Sequence, residues 1–479
     1  MFKKSSIKRL TIALVVLMLV LVVALSACTS AKPFQQRTLP GKATPVGNGG
    51  AAVVYGEWLY YINGNIASPD SANNAYTEDL RSGSIVRIKL SDLEDNVLSV
   101  YDLDMTTSEK SKEIENRIRK HAQMVVPNVY YNGNTDANLY GLYIFNDRIY
   151  ITTPNDQLDS KGNVLTSQLV LRSYNLGGGD RQTHLVFETN APQLKLSQVG
   201  NDVYATYVLD SKLMSYKVGD KEPATIAESI SSQQFSGQYV HYLDSDGNIC
   251  RYQVGAKEAV KLVPLVQPEN HEEHNHKSYT IQKTNNEYVY YTISDSSSFG
   301  EAEASSLVLF YANQPVEDDN HESIIGAIPS GTYFCYGSKV IYTVDAHNLP
   351  DKSMQPPADQ TWYNIVVAEG GSFDYEWYCE SGASISLIKL DGSILYYTKS
   401  QVTYTLDLDG EKSQKAVPYA YGYSVSSSYD VLQVGEGADM VTYMFSLSND
   451  AISLVKFNPE TKKNVVSTTY ITLVEKSDK

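Results

Sequence analysis

Leu213-Met214-Ser215-Tyr216-Lys217-Val218-Gly219 returns as Ile249-Cys250-Arg251-Tyr252-Gln253-Val254-Gly255, with an aliphatic residue, Tyr, Val and Gly at matching places 36 residues apart. Self-similarity at a period between about 20 and 50 residues marks a supersecondary unit that buries its faces only by stacking on copies of itself. The unit is cleanest from Leu194 to Pro264, and its strands alternate apolar and polar residues between turn residues.

Outward from this pair, the same Tyr-rich strand recurs along the chain. It is read at Trp58-Leu59-Tyr60-Tyr61-Ile62, Arg148-Ile149-Tyr150-Ile151, Asp202-Val203-Tyr204-Ala205, Tyr239-Val240-His241-Tyr242, Tyr288-Val289-Tyr290-Tyr291, Lys339-Val340-Ile341-Tyr342, Ile394-Leu395-Tyr396-Tyr397 and Met440-Val441-Thr442-Tyr443. A further alternating strand follows each, as at Ile85–Leu90, Leu169–Tyr174, Leu307–Tyr311 and Ile452–Phe457. Asp244-Ser245-Asp246-Gly247-Asn248 supplies an explicit hairpin turn between the two, because Gly and Asn tolerate positive φ. Four strands per unit, repeated radially, predict an all-β fold, a β-propeller of about eight four-stranded blades. Seven is the alternative, in which a strand near Ala51 completes the last blade. The 37 tyrosines fit half-buried strands with one wet end.

The repeated "Trp/Tyr-apolar-Tyr-Tyr" strand, followed by an "apolar-x-Arg/Lys-Ile/Tyr-x-Leu/Val" strand, resembles the bacterial lipoprotein propellers of unknown function related to the YWTD propellers of lipoprotein receptors. The resemblance spans roughly residues 51–470, without a literal Tyr-Trp-Thr-Asp in any blade. It implies the fold and names no ligand.

The N-terminus has a different logic. Residues 1–9 are basic, Leu10 to Leu25 is almost wholly apolar, and Leu25-Ser26-Ala27-Cys28 closes the segment with small residues before a cysteine. This is the layout of a secretory signal, so residues 1–27 are read as a lipoprotein signal peptide. The four closing residues resemble the bacterial lipobox, which implies that Cys28 is diacylglycerylated and becomes the mature N-terminus. As a helix the apolar run would reach roughly 24 Å, short of the ~30 Å hydrocarbon core. Two acyl chains would hold the protein stably at the extracytoplasmic face of the cell membrane. Residues 28–50, rich in Pro and Gly, are expected to be the lipidated N-terminus and a flexible linker, and residues 51–479 a single propeller domain.

Lys3, Lys4, Lys8 and Arg9 all fall in the leader, so the exported part is more acidic than the formal net charge of -16. Such a surface repels phosphate backbones, and nucleic acid is excluded as a partner.

A charged insertion at residues 106–123 is expected to form a surface helix with Ser108 as its N-cap, Ile114 and Ile118 on one side, lying over the edge between the first two blades. Two more polar or proline-containing inserts fall at 264–277 and 345–360. The first holds His271, His274 and His276 beside Glu269, Glu272 and Glu273, a composition suited to Zn, Cu or Ni and the one metal reading in the chain. Its spacing is not the helical pair of zinc proteases. Asp244–Gly247 and Asp407–Gly410 resemble calcium-loop fragments but lack the Glu such loops need, and Gly435–Met440 lacks the third Gly of a dinucleotide loop, so all three read as turns.

With Cys28 lipidated, Cys250, Cys335 and Cys379 remain, and Cys335 with Cys379 is the nearer pair for a disulfide. No nucleophile elbow, phosphate loop or catalytic-triad signature appears in sequence, and no catalytic residue is assigned. The leading functional expectation is a membrane-anchored binding or scaffold module for a protein, peptide or glycan at the cell envelope. The alternatives are a lipid-anchored enzyme acting on polysaccharide and a metal-binding lipoprotein using the His-rich loop.

Overall fold

The computed structural model describes residues 35–63, 84–127, 141–155, 168–187, 194–267, 277–295, 308–348 and 357–466, with short interruptions inside 84–127, 308–348 and 357–466; beyond 410, and over 372–379, it describes backbone only. Among the described residues the chain folds into eight antiparallel sheets of strands consecutive in sequence, seven of four strands and one, blade 1, of four with a short fifth strand added at its edge. All eight Tyr-rich segments are the second strands of these sheets, from Trp58–Asn63 in blade 1 to Val441–Phe445 in blade 8.

The first strands converge on an axis. Ala52–Tyr55 of blade 1 lies beside Tyr143–Phe145 of blade 2, and Lys277–Asn285 of blade 5 beside both Ser231–Ser236 of blade 4 and Tyr333–Tyr336 of blade 6. Ala52–Tyr55 also neighbours Asp430–Val434, the first strand of blade 8, so the ring closes between chain ends. The strand near Ala51 therefore begins blade 1 and does not complete the last blade. The assignment to an all-β propeller follows from these sheets.

Among the described residues, blades 1 to 7 pack face to face on one another, as pleated sheets with apolar residues on both sides must. Leu213, Val240 and Tyr252 join blades 3 and 4; Ile249, Tyr279 and Tyr291 join 4 and 5; Tyr290, Cys335 and Ala368 join 5 and 6; Ile341, Ile365 and Leu395 join 6 and 7. The tyrosine pairs serve this packing. Tyr60 donates its hydroxyl to Leu176 O of blade 2 at 3.1 Å, and Tyr290 donates to Gly337 O of blade 6 at 2.9 Å. The ring fills the seam and the phenol caps a turn carbonyl of the next blade. Third-strand arginines do the same work: Arg87 donates to Leu176 O, and Arg251 donates to Glu287 O and Asn313 O of blade 5.

In blades 1 to 7 the first and second strands are joined by a two-residue loop that begins at Gly56, Asn146, Gly200, Gly237, Asn286, Gly337 or Gly392, each with φ between 48° and 60°. Gly and Asn are the residues that adopt this left-handed backbone at least cost. These loops and the third-to-fourth connections emerge together on one face of the disc, called here the turn face.

Two helices, α1 (Leu90–Val97) and α2 (Thr107–His121), occupy the third-to-fourth connection of blade 1. The expected helix is present, inserted between the third and fourth strands of blade 1 and lying against the third. Its N-cap is Thr106, not Ser108: Thr106 N and Oγ1 donate to Glu109 Oε2 at 2.9 and 2.7 Å, a capping box closed from Thr to Glu three residues on. Ile114 is buried as expected.

Residues 36–50, read from sequence as linker, run as a bound strap. Arg37 N donates to Gly177 O (2.8 Å) and Arg37 Nε to Met124 O (3.0 Å), while Arg87 Nη2 donates to Thr38 O (2.8 Å). Pro45–Val46 then pairs with Tyr55 and Val54 as a fifth strand on the axial edge of blade 1, and Asn48 exchanges bonds with Ile144 O and N of blade 2. Proline is tolerated there because an edge strand has one side free of ladder bonds. No helix among the described residues is long and apolar enough to cross a membrane; the leader and Cys28 lie outside them.

Candidate functional site

The strap covers the axial edge of blades 1 and 2, and the space along the axis opens on the other side of the ring. The first strands of blades 3 to 7 surround a cavity of about 720 Å³ reaching the turn face. Lys195 comes from blade 3, Gln234 to Gly237 from blade 4, Lys283 to Asn286 from blade 5, Phe334 and Cys335 from blade 6, and Leu390 to Gly392 from blade 7. First strands near an axis lack the room for large apolar packing on both sides, and their polar ends line the opening.

The amides here are held. Gln234 Nε2 donates to Ile281 O at 3.3 Å, and Asn285 Nδ2 donates to Cys335 O at 3.0 Å, each bond crossing to the next blade. Asn286 N donates to Ser236 Oγ at 2.7 Å. Lys283 places its ammonium 4.3 Å from the Tyr333 ring centroid and 5.5 Å from that of Phe334, a cation–π arrangement in which the ring quadrupole replaces lost water. Burial lowers the ammonium pKa of both Lys195 and Lys283. Burial pushes the Cys335 thiol up to about 12, so it offers no thiolate nucleophile at neutral pH. Asp391 is the one carboxylate lining this cavity among the described residues.

A second cavity of about 500 Å³ on the turn face shares Asn285 and Asn286 with the first. Half-buried Tyr239, Tyr288 and Tyr336 line it from blades 4, 5 and 6. Arg251 sits 5.3 Å from the Tyr239 ring centroid. Tyr336 donates to Asp409, and burial and that carboxylate push its phenol up to about 12, so it stays a neutral donor.

Of the site residues singled out in sequence, Cys335 lines the axial cavity. His271, His274 and His276 fall outside the described residues; the strand ends flanking them, Val263 and Lys277, belong to the face opposite the turn face. Among the described residues no group of three His, Cys, Asp or Glu is placed to hold a metal. Asp244–Gly247 is a hairpin turn: Asp244 Oδ1 accepts from Asp246 N (3.0 Å) and Asn248 N (2.9 Å), and Gly247 has φ 82°. Asp407–Gly410 is likewise a turn closed by Asp409 N donating to Asp407 Oδ1, and residues 435–440 lie outside the described residues.

The Cys335–Cys379 disulfide is corrected. Cys335 is a free, buried thiol on the first strand of blade 6 and Cys379 ends the fourth, Ser372–Cys379. Three strand spacings of about 4.8 Å separate them, twice the reach of a disulfide. Cys250 is also a free, buried thiol.

No protein-family model matches this chain, and no curated protein matches it. Solved structures align over much of its length. The N-terminal domain of Nup159 is 13% identical over 86% of this chain and 96% of its own, with a TM-score of 0.29. Hsv2 of Kluyveromyces lactis is 10% identical over 68% of this chain and 96% of its own, with a TM-score of 0.29. The β-propeller domain of the Trilobed protease from Pyrococcus furiosus is 11% identical over 57% of this chain and 93% of its own, with a TM-score of 0.25. Alignments this loose bear on no site or ligand, and the functional reading stands on the geometry of the chain itself.

Proposed function

We propose that the protein is a lipid-anchored, extracytoplasmic binding module whose ligand enters the axial cavity from the turn face. One observation carries the reading: five consecutive blades line one water-accessible space of about 720 Å³ with their first strands, four of them (blades 3, 4, 5 and 7) with charged or amide side chains, a volume within the range of small-ligand sites. The Gln234 and Asn285 amides are fixed by inter-blade bonds and Lys283 by aromatic rings, which suits recognition. Two-carboxylate hydrolysis of a polysaccharide needs a second acid facing the first across the ligand, and Asp391 stands alone on this cavity among the described residues.

The lipobox supports the anchor, and the strap shortens it. From Cys28 to Gln36 the chain has eight residues, roughly 27 Å when extended. Gln36 packs against Gly177 and Gly179 in the third-to-fourth turn of blade 2, on the turn face. The disc is thus held close to the bilayer at blades 1 and 2.

The experiment is retention. Full-length protein in detergent is incubated with a small-molecule extract of the cell envelope, washed, and denatured for mass spectrometry beside Ser236→Trp, which fills the cavity mouth. A compound retained by the parent and lost in the variant supports the reading. Equal retention by both, or none by either, counts against it.

A further inference from the structure

We propose that the axial cavity receives the carboxylate of a sugar acid, its charge met by Lys195 and Lys283, while Tyr239, Tyr288 and Tyr336 carry the adjoining sugar ring. The inference rests on the binding reading above and adds the chemical class of the ligand.

Charge is the first argument. The chain is strongly acidic, with 55 Asp and Glu against 39 Lys and Arg, and its exposed lysines find acids readily: Lys212 pairs with Glu228 at 3.0 Å and Lys217 with Asp202 at 2.7 Å. Lys195 and Lys283 do not. Among the described residues neither meets a carboxylate, and Lys283 rests on two aromatic rings instead. Withdrawing an ammonium from water without a counter-ion disfavours its charged form, which is why both pKa values are lowered. A ligand carboxylate in the cavity restores the missing counter-charge for both. The acidic surface repels anions in general, so the attraction is confined to this opening.

Hydrogen bonding is the second. Gln234 and Asn285 line the cavity with their nitrogens each committed to a carbonyl of the next blade, which leaves their side-chain oxygens to act as acceptors. Asp391, on blade 7, is a further acceptor. Acceptors beside cations suit a ligand that carries hydroxyl donors together with a negative charge.

The third is shape. The two cavities meet at Asn285 and Asn286, so a ligand of two linked rings seated by its carboxylate extends along the turn face. It passes three half-buried tyrosines there, whose apolar faces suit the C–H face of a sugar and whose hydroxyls suit its rim.

Calorimetric titration of the full-length protein in detergent tests this, with glucuronosyl-xylose, xylobiose and a tri-glutamate peptide as probes. Glucuronosyl-xylose is expected to bind at least ten-fold more tightly than xylobiose, and less tightly as salt rises. Lys283→Met and Lys195→Met should each weaken it about ten-fold, Lys283→Arg much less, and Tyr288→Ala should weaken both disaccharides. Melting curves confirm that each variant is folded, and Lys283→Arg keeps the test open if Lys283→Met is not. Absence of glucuronosyl-xylose binding overturns the inference, as does binding indifferent to both lysine substitutions or a preference for tri-glutamate. Equal binding of the two disaccharides, abolished by Ser236→Trp, removes the anion assignment and leaves the axial binding site standing.

Discussion

His241 and Arg251 stand directly opposite one another on the second and third strands of blade 4, and both donate to one acceptor, the carbonyl of Glu287 in blade 5. The imidazole is fully buried, and its bond to a carbonyl fixes the proton on Nε2. Protonating Nδ1 would place a second cation beside the guanidinium with no water to receive it.

That arrangement predicts an acid-labile fold. Burial, and to a lesser degree Arg251, pushes His241 down to about 4, against about 6.5 in an unfolded chain. Between those values the unfolded state takes up a proton that the native state refuses, so stability falls as pH drops from about 6.5 to 4 and levels off below. The full effect is on the order of 3 kcal/mol for this one group. His184, pushed to about 4 by burial and Arg148, acts in the same direction. Melting temperature should decline across that window, and His241→Gln, which keeps a donor for Glu287 without a titrating ring, should flatten the decline. An identical slope in the variant would show that His241 is not responsible.

The strap makes a second prediction, by contrast between two glycines. A Cβ at Gly177 would meet the backbone oxygen of Arg37 at 2.1 Å, whereas a Cβ at Gly179 would meet the side-chain Oε1 of Gln36 at 2.1 Å. Backbone tied by its own hydrogen bond cannot step aside; a glutamine side chain can. Gly177→Ala should therefore loosen residues 36–50 and speed tryptic cleavage after Arg37 and Lys42 several-fold, while Gly179→Ala should leave the cleavage rate near that of the parent.

The blades were legible because their period is written twice, once as alternation within a strand and once as recurrence of the Tyr-rich segment, and both follow from burial on two faces. The strap was not. Pro40, Pro45, Gly47, Gly49 and Gly50 carry no apolar period, and what binds them is a series of long-range contacts: Asn48 to Ile144, Arg87 to Thr38 and Gly177 to Arg37. The axial site was hidden for a related reason. Lys195, Lys283 and Asp391 come from three blades, more than 80 residues apart at each step, and only ring closure makes them neighbours. One local signal was available: the Gly or Asn that opens the first turn of blades 4, 5 and 7 (Gly237, Asn286 and Gly392) marks the rim of the cavity.

Arg87 ties strap, blade 1 and blade 2 together. Its guanidinium lies 4.2 Å from the Trp58 ring centroid and donates to Gln123 Oε1, Tyr60 Oη, Leu176 O and Thr38 O. Arg87→Met preserves length and apolar contact but takes the donor from Gln123 Oε1, Tyr60 Oη and Thr38 O, while Leu176 O keeps the Tyr60 hydroxyl. Each such loss to a charged donor is worth roughly 1.5–3 kcal/mol, partly recovered by relaxation. Denaturant unfolding should show a destabilisation of about 3 kcal/mol. A change under 1 kcal/mol would mean that water replaces the guanidinium.

The buried thiols give a chemical check on sheet order. Cys250 and Cys335 are both pushed up to about 12, chiefly by burial, so neither offers a thiolate at neutral pH. Iodoacetamide should leave both unmodified in the native protein at pH 7.5 and label both in guanidine without reductant. Failure of Cys335 to react after unfolding without reductant, with recovery after reduction, would revive a disulfide at that residue and contradict its place three strands from Cys379.

Anchoring offers the last test, and it separates two fates of the leader. If Cys28 is lipidated and the leader removed, Cys28→Ser blocks acylation, and the precursor should accumulate with residues 1–27 still attached. The apolar run Leu10 to Leu25 would then be the remaining hold on the bilayer, and at roughly 24 Å it is short for one. The variant should therefore be extracted by alkaline carbonate, where the parent, held by two acyl chains, resists. Metabolic labelling with an alkyne fatty acid should mark the parent and not the variant. Equal labelling of both, or a parent extracted as readily as the variant, would place the anchor somewhere other than Cys28, and the eight-residue tether that brings blades 1 and 2 to the membrane would go with it.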